Sequence, residues 1–252
     1  MKIKNIILGM LSFSIIALSS CEKTFDQLEK DSNRAVQVPA SLVLQSIELN
    51  VMNDNGRPFS AEMRYNQYYC SNYNYYANNE YNLGQMPNQF TTLKNVVKME
   101  EEAKKLGLPD VNGYSALGKF FRAYFFDQMS KRVGDLPMTE ALKGIENTAP
   151  KYDSQKVIYT QILKWLDDAN SDMTALAAKG ETISGDFYFN GDLKKWQKVV
   201  NAYRLRVLIT LSKKDTDAEL GVKAKFAEMI GNPTKYPMLS SNGESLQFVW
   251  NN

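Results

Sequence analysis

The sequence contains no histidine among its 252 residues. That absence excludes imidazole acid–base catalysis, histidine-based zinc sites, and the Ser-His-Asp and Cys-His forms of nucleophilic catalysis. Cysteine is nearly as scarce. Cys21 and Cys70 make no CxxC pair and are too few for a disulfide framework. Charge of one sign is not in excess either, since 30 basic and 28 acidic residues leave a net charge of +2. No Lys/Arg run forms a basic stripe, so nucleic acid is not an expected partner. What remains is a chain long enough for one large domain with a sizeable core, 44% hydrophobic and 23% charged.

The first residues, MKIKNIILGMLSFSIIALSSC, have the layout of an export signal. Lys2 and Lys4 form a positive start, and the apolar stretch Ile6 to Leu18 is short for a membrane span. It ends in Leu18-Ser19-Ser20-Cys21, which resembles the lipobox of bacterial lipoproteins. This implies a signal peptide over residues 1–20 and acyl chains, palmitate among them, on Cys21. The chains supply the membrane anchor, at about 0.8 kcal/mol per buried methylene. Residues 21–38 then read as the lipidated cysteine and a polar tether, and residues 39–252 as the folded domain.

Helical periodicity dominates that domain. The stretch from Val111 to Pro137 is its centre, with Tyr114, Leu117, Phe121, Tyr124 or Phe125, and Gln128 at helical steps. Ala116, Phe120, Ala123 and Phe126 fill the neighbouring faces, so this helix should be packed on several sides. Gly118 and Ala123 leave room for a close neighbour. Gly134 and Pro137 should stop the helix.

Further helices are expected from Pro39 to Met52, with Leu42, Leu44, Ile47 and Val51 inward, and from Phe90 to Leu106. In the latter, Glu100 to Glu102 and Lys104-Lys105 read as a solvated face. Asp153 or Ser154 can cap a helix whose ladder is Ile158, Ile162, Trp165, Ala169, Met173 and Leu176. Asp192 should cap another, with Trp196, Val199, Val200, Tyr203, Val207, Leu208 and Leu211 inward. Arg204 and Arg206 should pair with acids of neighbouring helices, and a last helix is expected over Asp217 to Gly231. The fold class is all-α. Helix pairs at roughly regular spacing suggest a degenerate tetratricopeptide-like array with long irregular loops.

One segment stands apart. Between Tyr65 and Asn82 lie Tyr65, Tyr68, Tyr69, Tyr73, Tyr75, Tyr76 and Tyr81, interleaved with Asn66, Asn72, Asn74, Asn78, Asn79 and Asn82. Aromatic faces stack on the apolar faces of sugar rings, and amides both donate to and accept from hydroxyls. This is the chemistry of a carbohydrate or peptide site, with Tyr73, Tyr75, Tyr76, Asn79 and Tyr81 as its candidate residues. Packing of a long aromatic loop on the helices, or a protein–protein contact, would use the same composition.

Three stretches, in order behind the lipobox, carry a resemblance. Phe120-Phe121-Arg122-Ala123-Tyr124 leads into Val133-Gly134-Asp135-Leu136-Pro137. Pro150-Lys151-Tyr152-Asp153-Ser154-Gln155 leads to Ile158-Tyr159. Asp186-Phe187-Tyr188-Phe189-Asn190-Gly191-Asp192-Leu193-Lys194-Lys195-Trp196 is followed by Asn201-Ala202-Tyr203-Arg204-Leu205-Arg206. Together they resemble the SusD/RagB family of outer-membrane nutrient-binding lipoproteins. The resemblance implies a tetratricopeptide-like scaffold at the cell surface, lipid-anchored, that captures an oligosaccharide or peptide for a SusC-like TonB-dependent transporter. It implies a binding protein without cofactor or metal, not an enzyme. Members are usually about twice as long, so it also implies that the chain corresponds to the N-terminal half. A helical-repeat lipoprotein that scaffolds protein assemblies is the alternative. A paired-carboxylate hydrolase finds little support: Asp135, Asp153, Asp186 and Asp192 are present, but no spacing singles out an acid and a base.

Overall fold

The apolar ladders form helices as their period requires. The computed structural model describes residues 38–54 and 88–248. Among these, α1 (Ala40–Asp54), α2 (Phe90–Lys105), α3 (Gly113–Val133), α4 (Gln155–Ala178), α5 (Leu193–Thr210) and α6 (Val222–Gly231) carry the fold. Each helix packs on the one before it, and α3 also touches α5. The architecture is an all-α stack of tetratricopeptide-like helix pairs. The described residues contain no strand, only an isolated antiparallel bridge between Leu136 and Asp153. None of the described helices is long and apolar enough to cross a membrane.

The centre is α3, as its all-round apolar composition predicts. Asn112 starts it through a capping box: its side chain accepts from Tyr114 N at 2.9 Å and Ser115 N at 3.0 Å, and Ser115 Oγ receives the Asn112 N–H. Gly134 ends it at φ +79°, donating its N–H to Ser130 O at 2.8 Å. Between these ends Phe120, Phe121, Phe125 and Phe126 are fully buried. Trp196 of α5, also fully buried, meets Phe120 and Phe121 at centroid distances of 5.7 and 5.9 Å. Burial of side chains this large is the main stabilising term of the stack.

Gly118 is where α2 comes close, but the visitor is a side chain. A Cβ on Gly118 would lie 2.2 Å from Oε1 of Glu100. Glu100 in turn binds Arg122 in a two-pronged pair at 2.5 and 2.6 Å, one turn further along α3. The expected solvated face of α2 is therefore corrected. Only Glu101 of the three glutamates is exposed, and Glu102 is buried between Lys98 at 2.8 Å and Lys105 at 2.7 Å.

Other expectations shift in detail. Ala40, Val43, Leu44, Ile47 and Val51 form the buried stripe of α1, while Leu42 is 53% exposed. Leu42 sits two residues before Leu44, about 200° round the helix. On α4, Leu166 is buried and Trp165 is half-buried, its ring 5.8 Å from that of Phe126. All seven inward residues expected of α5 are buried. Arg204 binds Asp167 of α4 at 2.6 Å, whereas Arg206 lies over the Tyr203 ring at 5.9 Å and makes no ion pair among the described residues. The last helix starts at Val222 rather than Asp217. Asp217 Oδ1 accepts from Glu219 N and Leu220 N, which folds the chain into a turn that the left-handed Gly221 completes at φ +58°.

Asp153 is not a helix cap. Ser154 caps α4, accepting from Val157 N at 3.4 Å. Asp153 instead closes the connector between α3 and α4. Its carboxylate accepts from Met138 N at 2.9 Å, Thr139 N at 2.8 Å and Thr139 Oγ1 at 2.9 Å, beside the paired backbone of Leu136 and Asp153. These donors hold its carboxyl below the usual range although burial pushes it the other way. The connector's far end, at Ile145, is 96% exposed.

Candidate functional site

The most constrained non-helical part of the described chain is the loop between α4 and α5, and one side chain organises it. Asp186 Oδ1 accepts from Tyr188 N at 2.9 Å and Phe189 N at 3.2 Å. Its Oδ2 accepts from Gly191 N at 2.8 Å and from the buried Trp196 Nε1 at 2.9 Å. Asn190 and Gly191 turn the chain through positive φ, at +54° and +82°. A Cβ at Gly191 would stand 2.2 Å from Ile183 O, so only glycine fits there. Asp192 then caps α5, accepting from Lys194 N at 2.9 Å and Lys195 N at 3.3 Å. The sequence run from Asp186 to Trp196 is thus a turn built around one carboxylate.

The loop presents Phe187 and Tyr188 as a half-buried ring pair, centroids 4.7 Å apart, with Phe248 edge-on to Phe187 at 5.6 Å. It also lies against α1. A Cβ on Gly185 would meet Ser41 O at 2.2 Å, Phe187 N donates to Glu48 Oε2 at 3.1 Å, and Tyr188 Oη donates to Glu48 O at 3.4 Å. Glu48 is fully buried. Burial, and then the charge of Asp186, push its carboxyl up to about 9.

A second buried acid joins three helices. Asp127 of α3, with no exposed surface, accepts from Tyr159 Oη of α4 at 2.9 Å, Tyr203 Oη of α5 at 2.5 Å and Lys131 Nζ at 2.6 Å. Burial and then Asp127 raise both tyrosine hydroxyls well above their usual range. Tyr159 also lines a cleft of about 200 Å³ between the start of α4 and the α5–α6 connection, with Lys156, Leu211 and Leu220. That is below the roughly 300–1,000 Å³ of small-molecule sites.

The carboxylates weighed for hydrolysis are all spent on structure. Asp135 accepts the Gln155 N–H at 2.8 Å, Asp153 closes the connector, Asp186 holds its loop and Asp192 caps a helix. No described pair flanks a space for substrate. Glu48 and Asp127 had a signal in the sequence: each carries a charge at a helical step between apolar residues, Glu48 between Leu44 and Val51, Asp127 between Tyr124 and Ser130.

Tyr73, Tyr75, Tyr76, Asn79 and Tyr81, like Cys21 and Cys70, lie outside the described residues. The described ends of the connection that carries the tyrosines are α1 and α2. Glu48 and its contacts to Phe187 and Tyr188 lie six residues, about 9 Å of helix, before the end of α1. At the other end, Asn88 Oδ1 accepts the Phe90 N–H at 3.0 Å, and the Phe90 ring meets Phe126 edge-on at 6.1 Å.

Comparison with known proteins draws these features together. The model of a SusD-like family described as starch-binding and associating with the outer membrane matches residues 32–252. Among solved structures, a Bacteroides vulgatus outer-membrane protein assigned to nutrient binding is 30% identical with a TM-score of 0.69, over 85% of this chain and 45% of its own. A SusD homologue from Bacteroides fragilis is 29% identical with a TM-score of 0.67, over 84% of this chain and 44% of its own. A chitin-binding protein is 29% identical with a TM-score of 0.52, over 63% of this chain and 32% of its own. The chain thus spans less than half the length of these structures. No curated protein matches.

Proposed function

The chain belongs to the SusD-like family, and from that premise we propose that it binds oligosaccharides at the outer-membrane surface and hands them to a SusC-like TonB-dependent transporter. Lipid on Cys21 anchors it after removal of residues 1–20, and residues 22–38 act as the tether. The protein binds without turnover. The observation that carries the reading is the density of seven tyrosines and six asparagines between Tyr65 and Asn82, in a chain whose described carboxylates are all engaged in structure.

Tyr73, Tyr75, Tyr76 and Tyr81 supply stacking faces, and Asn79 the hydroxyl and acetamido hydrogen bonds. A chitin-binding relative makes N-acetylated glycans the first class to test, with starch oligosaccharides second and short peptides third. The test is a calorimetric titration of the full chain with each class, repeated on the double variant Tyr75→Ala/Tyr76→Ala. Loss of two stacking faces at about 0.5–1.5 kcal/mol each should weaken binding roughly 5- to 150-fold. Unchanged affinity would remove these tyrosines from the site, and absence of binding to any glycan would favour the assembly scaffold.

A further inference from the structure

Where α1 crosses the α4–α5 loop, two buried carboxyls meet with no cation between them. Glu48 and Asp186 are both buried, and neither pairs with a lysine or arginine among the described residues. Glu48 Oε2 is satisfied by the Phe187 N–H at 3.1 Å. Its Oε1 is buried and receives no donor. Yet the two side chains share a hydrogen bond. Two carboxylates cannot do so without a proton. Asp186 already faces four N–H donors, each needing a lone pair, so the proton belongs to Glu48. The otherwise orphaned Oε1 is the oxygen that can carry it.

We propose that Glu48 and Asp186 form a proton latch: one shared proton fastens α1 to the loop, and its loss to bulk base sets two like charges face to face and frees the loop from α1. The other groups turned toward the contact do not compensate a second charge. Tyr188, on the loop, has its hydroxyl pushed up to about 12, by burial first and then by Glu48. Tyr124 of α3 stands behind Tyr188. From α2, Asn95 reaches α1 at Ser46, at 3.5 Å, and is neutral.

The direction of the pH effect follows. Glu48 is raised from 4.5 to about 9, so between those values the folded chain holds a proton that the unfolded chain releases. Stability from the latch is fully present below about 4.5 and is lost as pH climbs to about 9.

The test uses the full chain and Glu48→Gln, whose amide can donate to Asp186 and accept from Phe187 as the protonated acid does. Wild type should show an infrared carboxylic-acid C=O band at neutral pH that titrates away in alkali and is missing in Glu48→Gln. Its melting temperature should fall between about pH 5 and pH 9 while that of the variant falls less. Amide exchange at Phe187 to Gly191, taken relative to the variant at the same pH, should match at about pH 6 and be at least tenfold faster in wild type at about pH 10. No protonated-carboxyl band in wild type at neutral pH, or parallel melting curves for the two proteins, overturns the latch. Neither outcome bears on glycan binding, which the titration above decides separately.

Discussion

Asp127 draws its hydrogen bonds from tyrosines 32 and 76 residues away in the chain, and a charged acceptor at the centre of a helical stack depends on them. Tyr203→Phe or Tyr159→Phe removes one donor to a buried charge and should cost about 1.5–3 kcal/mol in urea denaturation. Asp127→Ala strands two hydroxyls and an ammonium and should cost more, about 3–5 kcal/mol. If the two tyrosine variants unfold with the wild-type midpoint, the network is not a stabilising element. The periodicity that places α3 places Asp127 on its inner side but cannot name the partners, because those arrive from helices far along the sequence. Glu48 is the same case, its partner lying 138 residues on at Asp186. An inward charge is legible; what neutralises or bonds it is a fact of the tertiary structure.

Whole helices were the most legible features, and their ends less so. The ladders of α3, α4 and α5 locate these helices because apolar residues at three- and four-residue steps can be buried only in that form. Asp192 was readable as a cap for the same reason. Asp192→Ala should destabilise by about 1 kcal/mol, within the 0.5–2 kcal/mol usual for a lost cap, measured as a shift in the denaturation midpoint. Asp153 and Ser154 were indistinguishable in sequence, both being good caps. What separates them is the connector, whose backbone donors claim Asp153 first. Gly118 illustrates a different limit. Its smallness signalled a close approach, but not that a carboxylate from α2 would fill the space. Gly118→Ala should displace Glu100 from Arg122 and cost about 1–3 kcal/mol, whereas Gly118→Ala combined with Glu100→Ala should recover part of that loss. Equal stability for Gly118→Ala and wild type would mean the pair simply moves aside.

At the scale of the molecule, family and fold were both readable, because three spaced motifs and a helical period point the same way. The ligand site was readable only as composition. A sugar-binding surface has no periodicity, so Tyr73 to Tyr81 announce their chemistry and not their arrangement. Anchoring is a whole-molecule property too. Cys21→Ser should move the protein from the membrane to the soluble fraction of cells, since acyl chains at about 0.8 kcal/mol per buried methylene are the proposed hold. Retention of the variant in the membrane pellet would assign attachment to a protein partner instead.

The connector between α3 and α4 is closed at its base by Leu136 and Asp153 and ends in the bare side chain of Ile145. A loop tied at the root behaves as a ring, and a ring can be enlarged at small entropic cost, about 0.6 kcal/mol for each doubling of its length. Guest peptide inserted beside Ile145 should therefore leave the helices undisturbed. An epitope spliced there would be a flag on the molecule: antibody staining of unbroken cells would tell whether that flag faces the medium, without touching the anchor, the tyrosines or the latch.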